Sequence, residues 1–263
     1  MDSMQSVVTL DENIALTESE WLSMKKRIGN LVEKANASNF ESVAGRILSE
    51  NILITGRGLF CQAVIKTQSK SPESSNVYAA LVALINSELP QVGHLLVKRA
   101  ALQFNTAHNR RDKKRMLTTS TFLAQLVNQR VAHEILALDV LLLLSVNPSS
   151  DKVEVAMSFC RQCGHLLLDV APQKLKEILA EFSSLLRKGE LEKRTCFLIA
   201  RLLAAYKQKF RDSATARVFE AEDQVTHYVS LLQDIDSETS LDRFHTNSDA
   251  YEEDEVTSKP SSC

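Results

Sequence analysis

The sequence predicts an all-α fold, an α-solenoid of about five antiparallel helix pairs. Three observations predict it. Apolar residues recur at the three-to-four-residue spacing of a helix through most of the body. Glycine (7) and proline (5) are scarce, and tight β-turns and glycine-rich nucleotide loops depend on them. Capping residues, prolines and polar breaks then divide the body into segments of helical length joined by short links. No stretch of strict two-residue alternation is long enough to suggest a sheet.

The first segment opens at Thr17-Glu18-Ser19-Glu20, a hydroxyl at the N-cap with a carboxylate three residues on, which is a capping box. Trp21, Met24, Ile28 and Leu31 follow on one helical face. Asn36-Ala37-Ser38-Asn39 breaks that helix and caps the second, whose face is Phe40, Val43, Ile47 and Leu48. Thr55-Gly56-Arg57-Gly58 reads as a turn before a third helix through Leu59, Phe60, Val64 and Ile65, stopped at Ser71-Pro72. The fourth helix spans roughly Asn76 to Leu89. The fifth starts at Pro90, a residue suited to the first helical position because its missing N–H costs nothing there. The sixth runs from about Asp112 to Asn128 and the seventh from about His133 to Val146. Asn147-Pro148 breaks the chain, Asp151 caps the eighth, Pro172 opens the ninth, and Gly189 separates it from the tenth, Glu190 to Phe210. A shorter segment, Asp223 to Leu232, closes the body.

Short links make neighbouring helices antiparallel. Ten such helices give five pairs of roughly 40 residues, the repeat length of HEAT-type solenoids. No clear identity relates the repeats, and a compact helical bundle is the competing arrangement. The expected organisation is a loose segment over 1–16, a HEAT-type helical domain over 17–233 and an acidic disordered tail over 234–263.

The 263 residues are 44% hydrophobic and 24% charged, an ordinary globular composition. No apolar run reaches the roughly 18 residues of a membrane span; the longest, Ile135 to Val146, is interrupted by Asp139 and Ser145. The opening residues have neither a basic nor an apolar region of signal-peptide type. Five cysteines without such a signal point to free thiols in a reducing compartment. From Asp234 onward nine acids face two bases, a balance of −7. The net charge of the whole chain is −2, which leaves +5 on the body before it. A mildly basic body suits a partner with a negative surface.

Candidate chemistry is sparse. Cys160-Arg161-Gln162-Cys163 has the spacing of a redox or zinc pair, but no second pair completes a zinc set, and the segment lies in a helical pattern. No phosphate-binding loop, nucleophile elbow or His-Glu-x-x-His motif is present, so the reading is of a non-enzyme without cofactor or metal. The densest charge lies in Lys98, Arg99, Arg110, Arg111, Asp112, Lys113, Lys114 and Arg115. Such a patch pairs with phosphates or an acidic protein, here without interleaved aromatics for base stacking. Arg110 to Arg115 also has the look of a nuclear import signal.

The stretch from Asn30 to Leu232 resembles the middle domain of translation initiation factor four-G, and more narrowly the version found in the nucampholin family of pre-mRNA-splicing factors. The residues that carry the resemblance are Val77-Tyr78-Ala79-Ala80-Leu81-Val82-Ala83, Ile85-Asn86-Ser87, Leu96 with Lys98-Arg99, and Val131-Ala132-His133-Glu134. Val153-Glu154-Val155-Ala156, Cys163-Gly164, Lys193-Arg194 and Thr226-His227 follow in the same order. The resemblance implies a binding module that grips a DEAD-box RNA helicase of the initiation-factor-four-A type, the exon-junction-complex member. The module keeps the helicase lobes apart, and so holds the helicase inactive while escorting it to the spliceosome in the nucleus. It implies spliceosomal proteins, and RNA, as further partners. The family's contact segment, Gly-Leu-Val-Asn-Lys, falls on Asn30, Leu31, Val32, Glu33 and Lys34, with Asn30 and Glu33 departing from it. In the basic turn Arg110, Asp112 and Lys113 match the family. Two other readings stay open: a translation or RNA-decay adaptor with a different client, and a general HEAT scaffold that has lost helicase binding.

Overall fold

The computed structural model describes residues 17–189, 191–211 and 224–244. The expectations for 1–16, for the start of the tenth helix at Glu190, for Asp223 and for the acidic run Tyr251 to Glu255 lie outside these residues. Among the described residues ten helices follow one another: α1 (Glu18–Glu33), α2 (Phe40–Ser49), α3 (Leu53–Lys70), α4 (Ser75–Glu88), α5 (Pro90–Asn109), α6 (Lys113–Asn128), α7 (Glu134–Ser145), α8 (Ser150–Val170), α9 (Pro172–Lys188) and α10 (Lys193–Lys207). Short 3-10 turns lie at Pro72–Ser74 and Thr239–Asp242.

The helices stack as a solenoid. Packing runs between sequence neighbours, most extensively α5 on α6, and between alternate helices: α1 on α3, α2 on α4, α4 on α6, α6 on α8, α7 on α9 and α8 on α10. One continuous core runs through the stack, with Phe60, Phe104, Phe122, Phe159 and Phe182 fully buried along it. Burial of apolar faces holds such helices more than their own propensity does.

Most boundaries follow the sequence signals. The capping box at Thr17 forms in both directions: Glu20 N donates to Thr17 Oγ1 (3.3 Å) and Thr17 N to Glu20 Oε2 (2.8 Å). Pro90 and Pro172 open α5 and α9, and Gly189 ends α9 in the left-handed region. Asn39 sits at the start of α2, but its amide ties the preceding loop, accepting from Asn36 N and donating to the Lys34 carbonyl.

Three expectations are corrected. Thr55 to Gly58 is no turn; α3 runs straight through it from Leu53. The two glycines serve close packing instead, Gly56 against Ile28 and Met24, and Gly58 against the backbone of Leu241. Asp151 is not the cap of α8. Ser149 accepts from Lys152 N (3.3 Å) as its cap, and Asp151 in the first turn pairs with Lys113 (2.9 Å). The third correction concerns the residues beyond α10. Residues 224–244 form an extended strap along the solenoid, so 234–244 pack on the body rather than opening a free tail.

The strap joins helices distant in sequence. His227 N donates to the Val131 carbonyl (2.9 Å) and His133 N to the His227 carbonyl (3.0 Å), a parallel bridge beside Ala132. Asn86 on α4, wholly buried, donates to the Val225 carbonyl (2.7 Å), and its oxygen contacts His227 Nε2 (2.6 Å). Gly93 on α5 leaves room for that amide, because a Cβ there would overlap it. Asp139, in the middle of the apolar α7, accepts from Ser230 Oγ (2.6 Å) and Leu231 N (3.0 Å). Asn105 on α5 donates to the Leu231 carbonyl (3.3 Å). The strap then crosses α5 and α3, and Phe244 reaches the ring of Trp21 on α1, 6.5 Å between centroids.

Candidate partner-binding surface

The segment Asn30 to Lys34 is the last turn of α1 and its cap. A helix can offer only part of such a run to a partner. Asn30, Glu33 and Lys34 are exposed, whereas Leu31 and Val32 are buried in the core. Leu31 is therefore a packing residue in this structure, which corrects its reading as a contact. Glu33 Oε1 lies 3.1 Å from Lys70 Nζ at the end of α3. Both side chains are open to solvent, so the pair contributes little stability, but it neutralises the carboxylate where a partner would meet it. The groups exposed at this end of α1 are the Asn30 amide, the Lys34 ammonium and the Glu33–Lys70 pair. Lys70 carries no motif; only the α1–α3 packing reveals it.

The basic residues divide into separate settings. Arg99 is 8% exposed. Its guanidinium donates to the carbonyls of Gly58, Ser237 and Glu238, each at 2.9 Å, and to Asp242 Oδ1 at 2.7 Å. Lys98 Nζ meets Glu238 Oε1 at 3.0 Å. These two bases hold the strap, which corrects their reading as part of a free partner patch. Lys113 is likewise engaged, bridging Asp151 and Glu154 of α8 at 2.9 Å each. That contact raises the Lys113 pKa and lowers that of Glu154, which Arg194 also approaches at 3.2 Å. Asp112 caps α6 by accepting from Arg115 N (3.0 Å), and the Arg115 side chain returns to it at 3.4 Å. Arg110, Arg111 and Lys114 are exposed and make no ion pair among the described residues.

One groove gathers several of these groups. It lies between α3, α5, the start of α6 and the strap, with a volume of about 840 Å³. Lys66, Arg99, Lys114 and Arg115 line it, with Asp112, Asp242, Thr106, Thr118 and Thr239. Four cations against two carboxylates leave it a net charge of +2.

The thiols Cys160 and Cys163 lie buried on α8. Burial pushes Cys160 up to about 12 and Cys163 well above the usual thiol range. Neither is a ready thiolate at neutral pH.

Residues 25–209 match the model of the MIF4G domain. The chain is 38% identical over 240 residues to the pre-mRNA-splicing factor cwf22 of Schizosaccharomyces pombe, covering 90% of this chain and 27% of that protein. It is 38% identical over 256 residues to the pre-mRNA-splicing factor CWC22 homolog of Homo sapiens, covering 96% and 28%. It is 37% identical over 257 residues to the pre-mRNA-splicing factor CWC22 of Pyricularia oryzae, again 96% and 28%. The chain thus spans little more than a quarter of the length of these curated relatives.

Proposed function

We propose, from the premise that this chain belongs to the MIF4G domain family, that it is a non-catalytic adaptor of pre-mRNA splicing. In this reading it binds a DEAD-box RNA helicase of the initiation-factor-four-A type, holds it open and inactive, and works in the nucleus with spliceosomal proteins. The observation that carries the reading is the likeness, along 90% or more of the chain, to proteins named pre-mRNA-splicing factors. The exposed end of α1 supports it, because Lys34 keeps the family's cation at a place where an acidic helicase surface can reach it.

Calorimetry with such a helicase tests the contact. Lys34→Glu reverses an exposed charge outside the core, so the fold should be retained. Binding should weaken by about 1–3 kcal/mol if the lysine is desolvated in the complex. Asn30→Gly with Glu33→Asn restores the family residues and releases Lys70 from its pair, and should strengthen binding to a generic helicase of this type. If neither variant changes affinity, the end of α1 is not the interface.

A further inference from the structure

We infer that Thr239 is a phosphorylation site and that its phosphate docks in the groove beside it, fastening the strap to α3 and α6. The inference rests on the groove and the strap and is independent of the helicase reading.

Thr239 is exposed at the start of the 3-10 turn Thr239–Asp242. Thr239 lines the groove, and its hydroxyl has no hydrogen bond among the described residues. Its local sequence is acidic: Asp234, Asp236, Glu238 and Asp242 flank it within five residues, against Arg243 alone. A Ser/Thr kinase with a basic substrate cleft reads that kind of segment by charge complementarity. In the transfer, Thr239 Oγ1 attacks the γ-phosphorus of ATP. The bond from that phosphorus to the β-bridging oxygen breaks, ADP leaves, and the hydroxyl proton passes to the kinase's base.

The surroundings decide where the phosphate goes. The two carboxylates lining the groove and that of the preceding residue are already paired: Asp242 with Arg99 at 2.7 Å, Asp112 with Arg115 at 3.4 Å and Glu238 with Lys98 at 3.0 Å. Asp236 turns back to accept from Glu238 N (2.8 Å). Lys66 on α3 and Lys114 on α6 line the same groove, exposed and without an ion pair among the described residues. They account for the groove's net +2. A phosphothreonine carries about −1.5 to −2 at neutral pH and three acceptor oxygens, so it matches that excess. Phosphates opposite unpaired cations order the segment that bears them.

The test treats the whole chain with ATP and an acid-directed Ser/Thr kinase, maps the product by tandem mass spectrometry and measures thermal unfolding. Phosphate should appear on Thr239 and be lost from that position in Thr239→Val. The modified chain should melt higher by about 2–4 °C, the shift expected for roughly 1 kcal/mol in a domain of this size. Lys66→Gln with Lys114→Gln alters only exposed side chains. It should leave the unmodified melting point in place and abolish the gain. Absence of phosphate on Thr239 overturns the site. A gain that survives the double lysine change, or a fall in melting point on modification, overturns the docking.

Discussion

Arg99 shows why a side chain's charge is a poor guide to its role. In sequence it stands next to Lys98 and reads as half of a basic patch. In the structure its guanidinium makes four hydrogen bonds, three to backbone carbonyls and one to Asp242. A planar fork of donors is needed to meet acceptors from both α3 and the strap at once, and an ammonium cannot supply it. Arg99→Lys keeps the charge and should still cost about 1–3 kcal/mol, since carbonyls that the guanidinium satisfies lose their donor. Urea unfolding of the two proteins measures the difference. An unchanged midpoint would mean that the strap contributes nothing to stability through this residue.

At the scale of the element, the strap sets one histidine of lowered pKa, His227, against another, His94 of α5. Burial, with a smaller contribution from neighbouring His94, lowers His227 to about 4. His94, stacked on it at 5.1 Å, is also lowered, by burial and then by Lys98, against an opposing pull from Glu238. Asn86 donates its amide nitrogen to Val225, so its oxygen accepts from His227 Nε2–H, and the neutral ring is the docked form. An unfolded histidine titrates near 6.5. Between about 4 and 6.5 the open chain therefore takes up a proton that the docked ring refuses. The docking stability is full above about 6.5 and declines as the pH falls through that window. The protection factors of residues 224–244, taken relative to intrinsic exchange at each pH, should fall as the pH is lowered over that range, and His227→Gln should remove most of the fall. A strap equally protected at both ends of the window would contradict the assignment.

The strap was also the part of the fold least legible in the sequence. Helices announce themselves through local period and caps, and Thr17, Pro90, Pro172 and Gly189 fall where the elements begin and end. An extended segment docked by long-range bonds has no period of its own. Its traces lie elsewhere, as polar residues on helix faces that should be apolar. Asp139 interrupting the run of α7, and Asn86 and Arg99 amid α4 and α5, are the anchors of the strap. The likeness of Val131 to Glu134 and of Thr226-His227 to one family marks two segments that prove to be bridged. Thr55 to Gly58 misled for a related reason: glycine signals a turn locally, whereas here it admits Leu241 to the helix surface. At the candidate contact, exposure of Asn30, Glu33 and Lys34 follows from helical periodicity, but the Lys70 partner required the tertiary packing.

For the whole molecule, a stack of ten helices is a rigid support whose turns and edges remain available to partners. The strap draws α1, α3, α5 and α7 into one unit through contacts more than 90 residues apart in sequence. In the proposed function such a unit holds a two-lobed enzyme in one arrangement. We propose that this chain restrains an RNA helicase in splicing. The measurement that meets it most directly is the RNA-stimulated ATP hydrolysis of a DEAD-box helicase of the initiation-factor-four-A type, titrated with the chain. Hydrolysis should fall to a low plateau at saturation, and Lys34→Glu should shift the titration to higher concentration without lowering the plateau further. Hydrolysis unchanged at saturating chain would contradict this proposal.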